Sequence, residues 1–195
     1  MEYFWHAFIP LFVAFDGVGL LPVYWALSQR LSPGARRQAV TEEVITAAIV
    51  AVIFLLVSPF IFSLMGLQAS DVMMAGGFIL IVLCLRELLL PEKPPKAEAV
   101  SPGVVPLGVP LLSGPAVLTT VLLVRHDYEW YVTLAALAAN LAVIWGILRG
   151  AERLMRWIGR DGSQVISKIS SLVLTAFGVM LIRHGVLMAL RQQGP

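Results

Sequence analysis

With 195 residues, 58% of them apolar and 13% charged, and a mean hydropathy of +0.85, the chain falls outside the composition of a soluble domain. Soluble domains lie nearer ~45–50% apolar and ~25% charged. This leaves no room for a separate soluble module and describes a polytopic all-α membrane protein, a single membrane domain over residues 1–195. The net charge of +2 says little, because the placement of basic residues matters more than their sum.

A helix needs ~20 apolar residues to cross a bilayer, and six such stretches are predicted, near 4–27, 40–65, 71–90, 104–124, 130–149 and 166–190. The first reads as a transmembrane helix and not as a cleavable signal. Glu2 stands where a basic n-region would, and the apolar run is too long for an h-region. Asp16 lies about halfway along it, beside Gly17, Gly19 and Pro22. A carboxylate at that depth costs at least about 2.5–3.5 kcal/mol on insertion scales, so it is expected to face the protein interior on a substrate or ion path. Its neighbours predict an interrupted helix, which a membrane tolerates where the break lines a protein-enclosed cavity. A structural hydrogen-bond hub, protonated by desolvation, is the other reading of Asp16.

Ser32, Pro33 and Gly34 end the first connection. Glu42 and Glu43 open the second span and read as a solvated interfacial pair; a proton relay from Glu43 toward Asn140 is the alternative. Met65, Gly66 and Leu67 form a short break, with Ser70 or Asp71 as the cap of the third span. That span carries Ala75, Gly76 and Gly77, small residues of the kind that let helix backbones approach in membranes, and Ser170, Ser171, Thr175 and Gly178 look like their counterpart in the sixth. Cys84 is the chain's one cysteine, so no internal disulfide or thiol-pair chemistry is open to it, and it reads as a small packed residue.

Residues 91–103 are the clear linker, rich in proline. The fourth span holds Pro106, Pro110 and Pro115 with Gly108 and Gly114, and Ser113, Gly114 and Pro115 are expected to unwind it. Exposed amides and carbonyls there suit an ion, a carboxylate or an ammonium group, with Thr119 and Thr120 adding hydroxyls within about a turn. Asn140 is polar among alanines and leucines of the fifth span, where an interhelical hydrogen bond or a ligand contact explains it. Between the fifth and sixth spans, Arg153, Arg156 and Arg160 alternate with Leu154, Met155, Trp157 and Ile158, which predicts a short helix on the membrane surface.

Of the 14 lysines and arginines, eleven fall in the loops on one side, and Arg125, Arg183 and Arg191 remain on the other. The positive-inside rule then puts both termini outside, with Trp5, Tyr128, Trp130 and Tyr131 at the outer interface and Trp157 at the inner one.

The linker divides the spans three and three, so the halves (repeat one 1–90, repeat two 104–190) have opposite orientation. Shifted by 97 residues, Asp16 and Gly17 fall on Ser113 and Gly114, Glu43 on Asn140, and Arg86 on Arg183. This is the inverted-repeat plan of many secondary transporters, with a midplane site between paired broken helices, here the first and fourth. The expected site comprises Asp16 for a cationic group (a substrate ammonium, Na⁺ or H⁺), the backbone at Gly17, Gly19, Ser113, Gly114 and Pro115, and Thr119 and Asn140, walled by Val18, Leu20, Val117 and Leu118. A zwitterionic small amino acid suits it. An exporter or translocator of drugs or lipid-like molecules is the alternative.

An enzyme is not expected, because no histidine lies at comparable depth and no nucleophile–base set is present. His6, His126 and His184 do not group at metal-ligand spacing, so neither a metal nor another cofactor is expected beyond a coupling ion. The expected partners are the solute and the bilayer, with no nucleic acid, and self-association through the small-residue patch is left open.

Three runs carry a resemblance: Phe15, Asp16, Gly17, Val18 and Gly19 with Pro22; Ala75, Gly76 and Gly77; and Pro106, Gly108 and Pro110 through Gly114 and Pro115. Together they resemble the MarC family of bacterial and archaeal membrane proteins, over essentially the whole chain. The family's first motif resembles Asp-Pro-x-Gly-Asn, and its fourth-span motif Pro-Leu-x-x-Pro-x-x-x-Gly-Pro-Gly. The resemblance implies a six-span inner-membrane protein, and some members look like transporters of small neutral amino acids. This chain departs from the pattern with Gly17 where the family usually has Pro, Leu20 where it often has Asn, and Ala116 where it often has Gly. The change at Leu20 removes a polar group from the expected site.

Overall fold

The computed structural model describes residues 2–28, 31–89, 112 and 114–193. Among them the chain is entirely helical: α1 (Glu2–Phe15), α2 (Leu20–Ser28), α3 (Pro33–Met65), α4 (Ala69–Leu89), α5 (Pro115–Asp127), α6 (Trp130–Arg149) and α7 (Ala151–Gln193). The linker 91–103, Pro106, Pro110 and Ser113 lie outside the described residues, as does the expected start of the fourth span. Pro33–Met65, Ala69–Arg86, Trp130–Arg149 and Gln164–Arg191 are each long and apolar enough to cross a bilayer. The chain is a polytopic membrane protein. The two expected spans outside this set are the first, divided into α1 and α2, and the fourth, of which α5 is the described part.

Local chemistry sets the helix ends. Ser32 caps α3, its Oγ accepting from the Ala35 amide at 3.3 Å, and Pro33 occupies the first turn, where its missing N–H costs nothing. Gly66 closes the helix in the left-handed conformation (φ 69°), and the Leu67 amide donates to the Phe62 carbonyl at 2.9 Å. The cap of α4 differs from the expected Ser70 or Asp71. Gln68 takes that place, and Asp71 reaches back to accept from the Gln68 amide at 2.9 Å, the returning half of a capping box.

Side-chain size on α3 is distributed for a bilayer. Ala39, Glu43, Ala47, Ala51, Leu55 and Ser58 form the buried ladder, whereas Ile45, Ile49, Ile53, Leu56, Phe60 and Leu64 are exposed. Lipid tails solvate large apolar side chains, so in membranes it is close backbone approach that selects the inward face.

The strongest packing joins α4 to α7. Gly77 and Gly178 meet backbone to backbone: a Cβ on Gly77 would stand 2.5 Å from the Gly178 carbonyl oxygen, and one on Gly178 would stand 2.9 Å from that of Gly77. Gly76, about 100° further round the helix, instead admits the Thr119 side chain of α5. Ala75 stands apart from the two glycines. It is exposed, because its two glycine neighbours take the two packed directions and leave it facing outward.

Elsewhere α1 packs on α6, α3 on α6, α5 on α1, α3 and α4, and α2 on α7. The bundle has two distinct ends. At one, Tyr3 and Tyr128 have ring centroids 6.1 Å apart, and Trp5, Trp130 and Tyr131 are exposed nearby in sequence. At the other, α2 meets α3 and α6 meets α7 amid arginines. The first turns of α7 are helical where the short basic helix was expected, with Met155 buried and Trp157 95% exposed, as far as a break at Gly159 (φ 71°).

Candidate functional site

Asp16 makes the break in the first span from both sides. It adopts φ 44°, a left-handed conformation that Asp tolerates better than most residues, and so ends α1. Its Oδ1 accepts from the Gly19 amide at 3.1 Å and its carbonyl accepts from Leu20 at 3.0 Å, which opens α2. The carboxylate therefore sits at the positive end of α2 and satisfies one of the amides that a helix start leaves orphaned. Gly19 is required because a Cβ there would overlap this carboxylate. Gly17 is buried against α6, where a Cβ would lie 3.2 Å from Ile144 Cγ1. These bonds make Asp16 a hydrogen-bond hub at the helix break.

In the second half, α5 starts at Pro115 with Gly114 as its N-cap, and no side chain among the described residues caps it. No atom of the described residues lies within 4 Å of where a Cβ on Gly114 would stand. Leu112, just upstream and buried, donates its amide to Glu43 Oε1 at 3.3 Å. Glu43 is only 5% exposed, so it corrects the expectation of a solvated pair, whereas Glu42 is exposed and hydrogen-bonds Gln38 at 2.7 Å. The missed signal was periodicity: Glu43 falls in the four-residue ladder of small residues that α3 buries.

Asn140 is fully buried and links α6 to the broken helix. Its Nδ2 donates to the Phe8 carbonyl at 3.2 Å and to the Ala136 carbonyl at 2.9 Å. Its Oδ1 is buried without a hydrogen-bond partner among the described residues. Glu43 and Asn140 therefore do not meet each other. Each holds backbone of the opposite half, Glu43 at Leu112 just before α5 and Asn140 at Phe8 in α1. Thr119 sits against Gly76, and the Thr120 hydroxyl donates to the Ala116 carbonyl of its own helix at 2.7 Å. Both hydroxyls are thus placed by packing within and beside α5.

Glu43→Leu removes the acceptor of the buried Leu112 amide and is expected to cost about 1–3 kcal/mol. Glu43→Gln keeps an acceptor oxygen and is expected to stay within about 1 kcal/mol of the parent. Thermal unfolding of the detergent-solubilised variants checks this; equal losses would remove the hydrogen bond from the account.

The described helices thus include one broken at the half-buried Asp16 and one that begins at Gly114 and Pro115. The model of the MarC family integral membrane proteins matches residues 1–190.

The chain belongs to the MarC family.

Several MarC-type proteins are similar over nearly their whole length. The UPF0056 inner membrane protein YhgN of Escherichia coli is 26% identical over 190 residues, covering 93% of this chain and 95% of the relative. A UPF0056 membrane protein of Buchnera aphidicola is 28% identical over 185 residues, covering 91% and 93%. One from the archaeon Pyrococcus abyssi is 26% identical over 186 residues, covering 92% of each. No solved structure matches the chain. Membership in the MarC family agrees with the apolar helices in making this an integral membrane protein.

Proposed function

We propose that this protein is a secondary transporter of a small neutral solute, a small amino acid above all, working through a site between the first and fourth spans. The observation that carries the reading is a pair of buried polar side chains, each hydrogen-bonded to backbone of the other half: Glu43 to Leu112, just before α5, and Asn140 to Phe8 in α1. Helix interruptions inside a membrane protein present backbone groups and helix ends to a cavity, which is how secondary transporters bind ions and zwitterions.

The same pair supports an inverted repeat of three spans each, since a shift of 97 residues carries Glu43 onto Asn140. The helix neighbours agree with it. Packing of α2 on α7 corresponds to packing of α5 on α4, since the shift carries α2 onto α5 and α4 onto α7. Asp16 would hold the ammonium group or coupling cation, Na⁺ or H⁺. The start of α5 at Gly114 and Pro115 would hold the carboxylate, and Asn140 Oδ1 offers a buried acceptor. With the arginine-rich end in the cytoplasm, both termini lie outside.

Ligand-induced thermal stabilisation of the purified protein tests this, because a ligand at a hundred times its Kd stabilises by about 2.7 kcal/mol. Glycine, alanine or serine is expected to raise the apparent Tm, with a dependence on Na⁺ or pH that names the coupling ion. A rise with apolar drugs or lipid-like molecules alone would transfer the site to the exporter reading. No rise with any of these solutes would overturn the proposal.

A further inference from the structure

The arginine-rich end of the bundle contains a cavity of about 500 Å³ between the α2–α3 and α6–α7 junctions. Arg36, Arg37, Arg149, Arg153 and Arg156 line it, with Glu152 as the one acidic residue among the described lining. Topology explains basic residues on this side of the membrane. It does not explain why five from two junctions, distant in sequence, surround one cavity.

Several of them are fixed in place. Arg36 Nε donates to the carbonyls of Ser28 at 2.7 Å and Leu31 at 3.0 Å, and its guanidinium lies 5.6 Å from the Trp25 ring centre. Arg149 stacks on Trp145 at 4.6 Å. Glu152 is shared, 3.8 Å from Arg36 and 3.4 Å from Arg156. The guanidinium groups of Arg37 and Arg153 have no hydrogen bond or ion pair among the described residues, so the cavity keeps an excess of positive charge. Trp157, on the same helical segment as Arg153 and Arg156, is 95% exposed, as an interfacial anchor at headgroup level would be.

We propose that this cavity binds a phosphate-bearing anion, its oxygens taken by the forks of Arg37 and Arg153 against the fixed Arg36 and Arg149. Arginine forks match phosphate geometry, and basic pockets between helices at the membrane surface hold anionic headgroups. A lipid headgroup and a free phosphate share this chemistry, and the test separates them.

Full-length protein stripped of lipid is titrated with phosphatidylglycerol, with phosphatidylcholine and with inorganic phosphate, reading apparent Tm and, for the lipids, retention in native mass spectrometry. Phosphatidylglycerol or inorganic phosphate is expected to stabilise the parent, and whichever does so identifies the source. The double variant Arg37→Gln/Arg153→Gln, at two exposed positions without intramolecular bonds, is expected to bind that ligand about ten-fold more weakly or worse. Arg37→Lys/Arg153→Lys, which keeps the charge without the fork, is expected to fall between. Equal stabilisation by phosphatidylcholine, an undiminished response in the Gln variant, or no response of the parent to either anion would each overturn the proposal.

Discussion

Asp16→Asn is expected to leave the fold standing and abolish the solute or cation response, whereas Asp16→Ala is expected to damage both. Asparagine accepts the Gly19 amide as Asp16 Oδ1 does at 3.1 Å, and it tolerates the left-handed backbone at φ 44°. It lacks only the negative charge. Alanine loses the cap, about 1 kcal/mol, and strains a backbone that a Cβ without polar compensation disfavours, about 1–2 kcal/mol more. Unfolding is therefore expected to separate the two variants by about 2–3 kcal/mol. Solute-induced Tm shifts are expected to be absent in both, with apparent affinity reduced at least about a hundred-fold, in keeping with the loss of a desolvated charge pair. An Asp16→Asn protein that responds to solute like the parent would confine Asp16 to its structural work at the helix break.

The second large effect concerns α4 against α7. Gly178→Ala places a Cβ 2.9 Å from the Gly77 carbonyl oxygen and 2.9 Å from Ile81 Cγ1. Backbone cannot change rotamer, so the helices must separate, at an expected cost of about 1–3 kcal/mol. Gly178→Val is expected to cost more and to lower the yield of folded protein. Ala75→Val, on the exposed face of the same patch, is expected to stay within about 0.5 kcal/mol of the parent. Apparent Tm in one detergent, compared across the three, reads this contrast directly. Matching losses at positions 75 and 178 would show that helix spacing does not set the stability of this contact.

Much of the architecture was legible in the sequence because the bilayer allows few alternatives. Apolar runs of spanning length announce helices, since a backbone in hydrocarbon must satisfy itself. The break at Asp16 could be read from a charge and two glycines where a continuous helix would hold apolar residues, and the start of α5 at Pro115 from the glycine and proline before and within it. The end of α3 at Gly66 and the helical turns before Gly159 were readable from local punctuation for the same reason.

What the sequence could not assign was direction around each helix axis, which depends on the neighbours. Ala75, Gly76 and Gly77 look alike along the chain, yet they face outward, toward Thr119 and toward Gly178 respectively. Glu43 stands beside Glu42, and a rotation of about 100° separates a buried carboxylate holding the Leu112 amide from a solvated one. Asn140 was marked by its polarity, but its bond to Phe8 spans 132 residues of chain. The sequence by itself determined the membrane, the helices and their breaks, because hydrophobic length and backbone satisfaction are local properties. Only the tertiary structure decided which polar groups hold which backbone and which arginines share a cavity, because those depend on helix–helix contacts that no local pattern encodes.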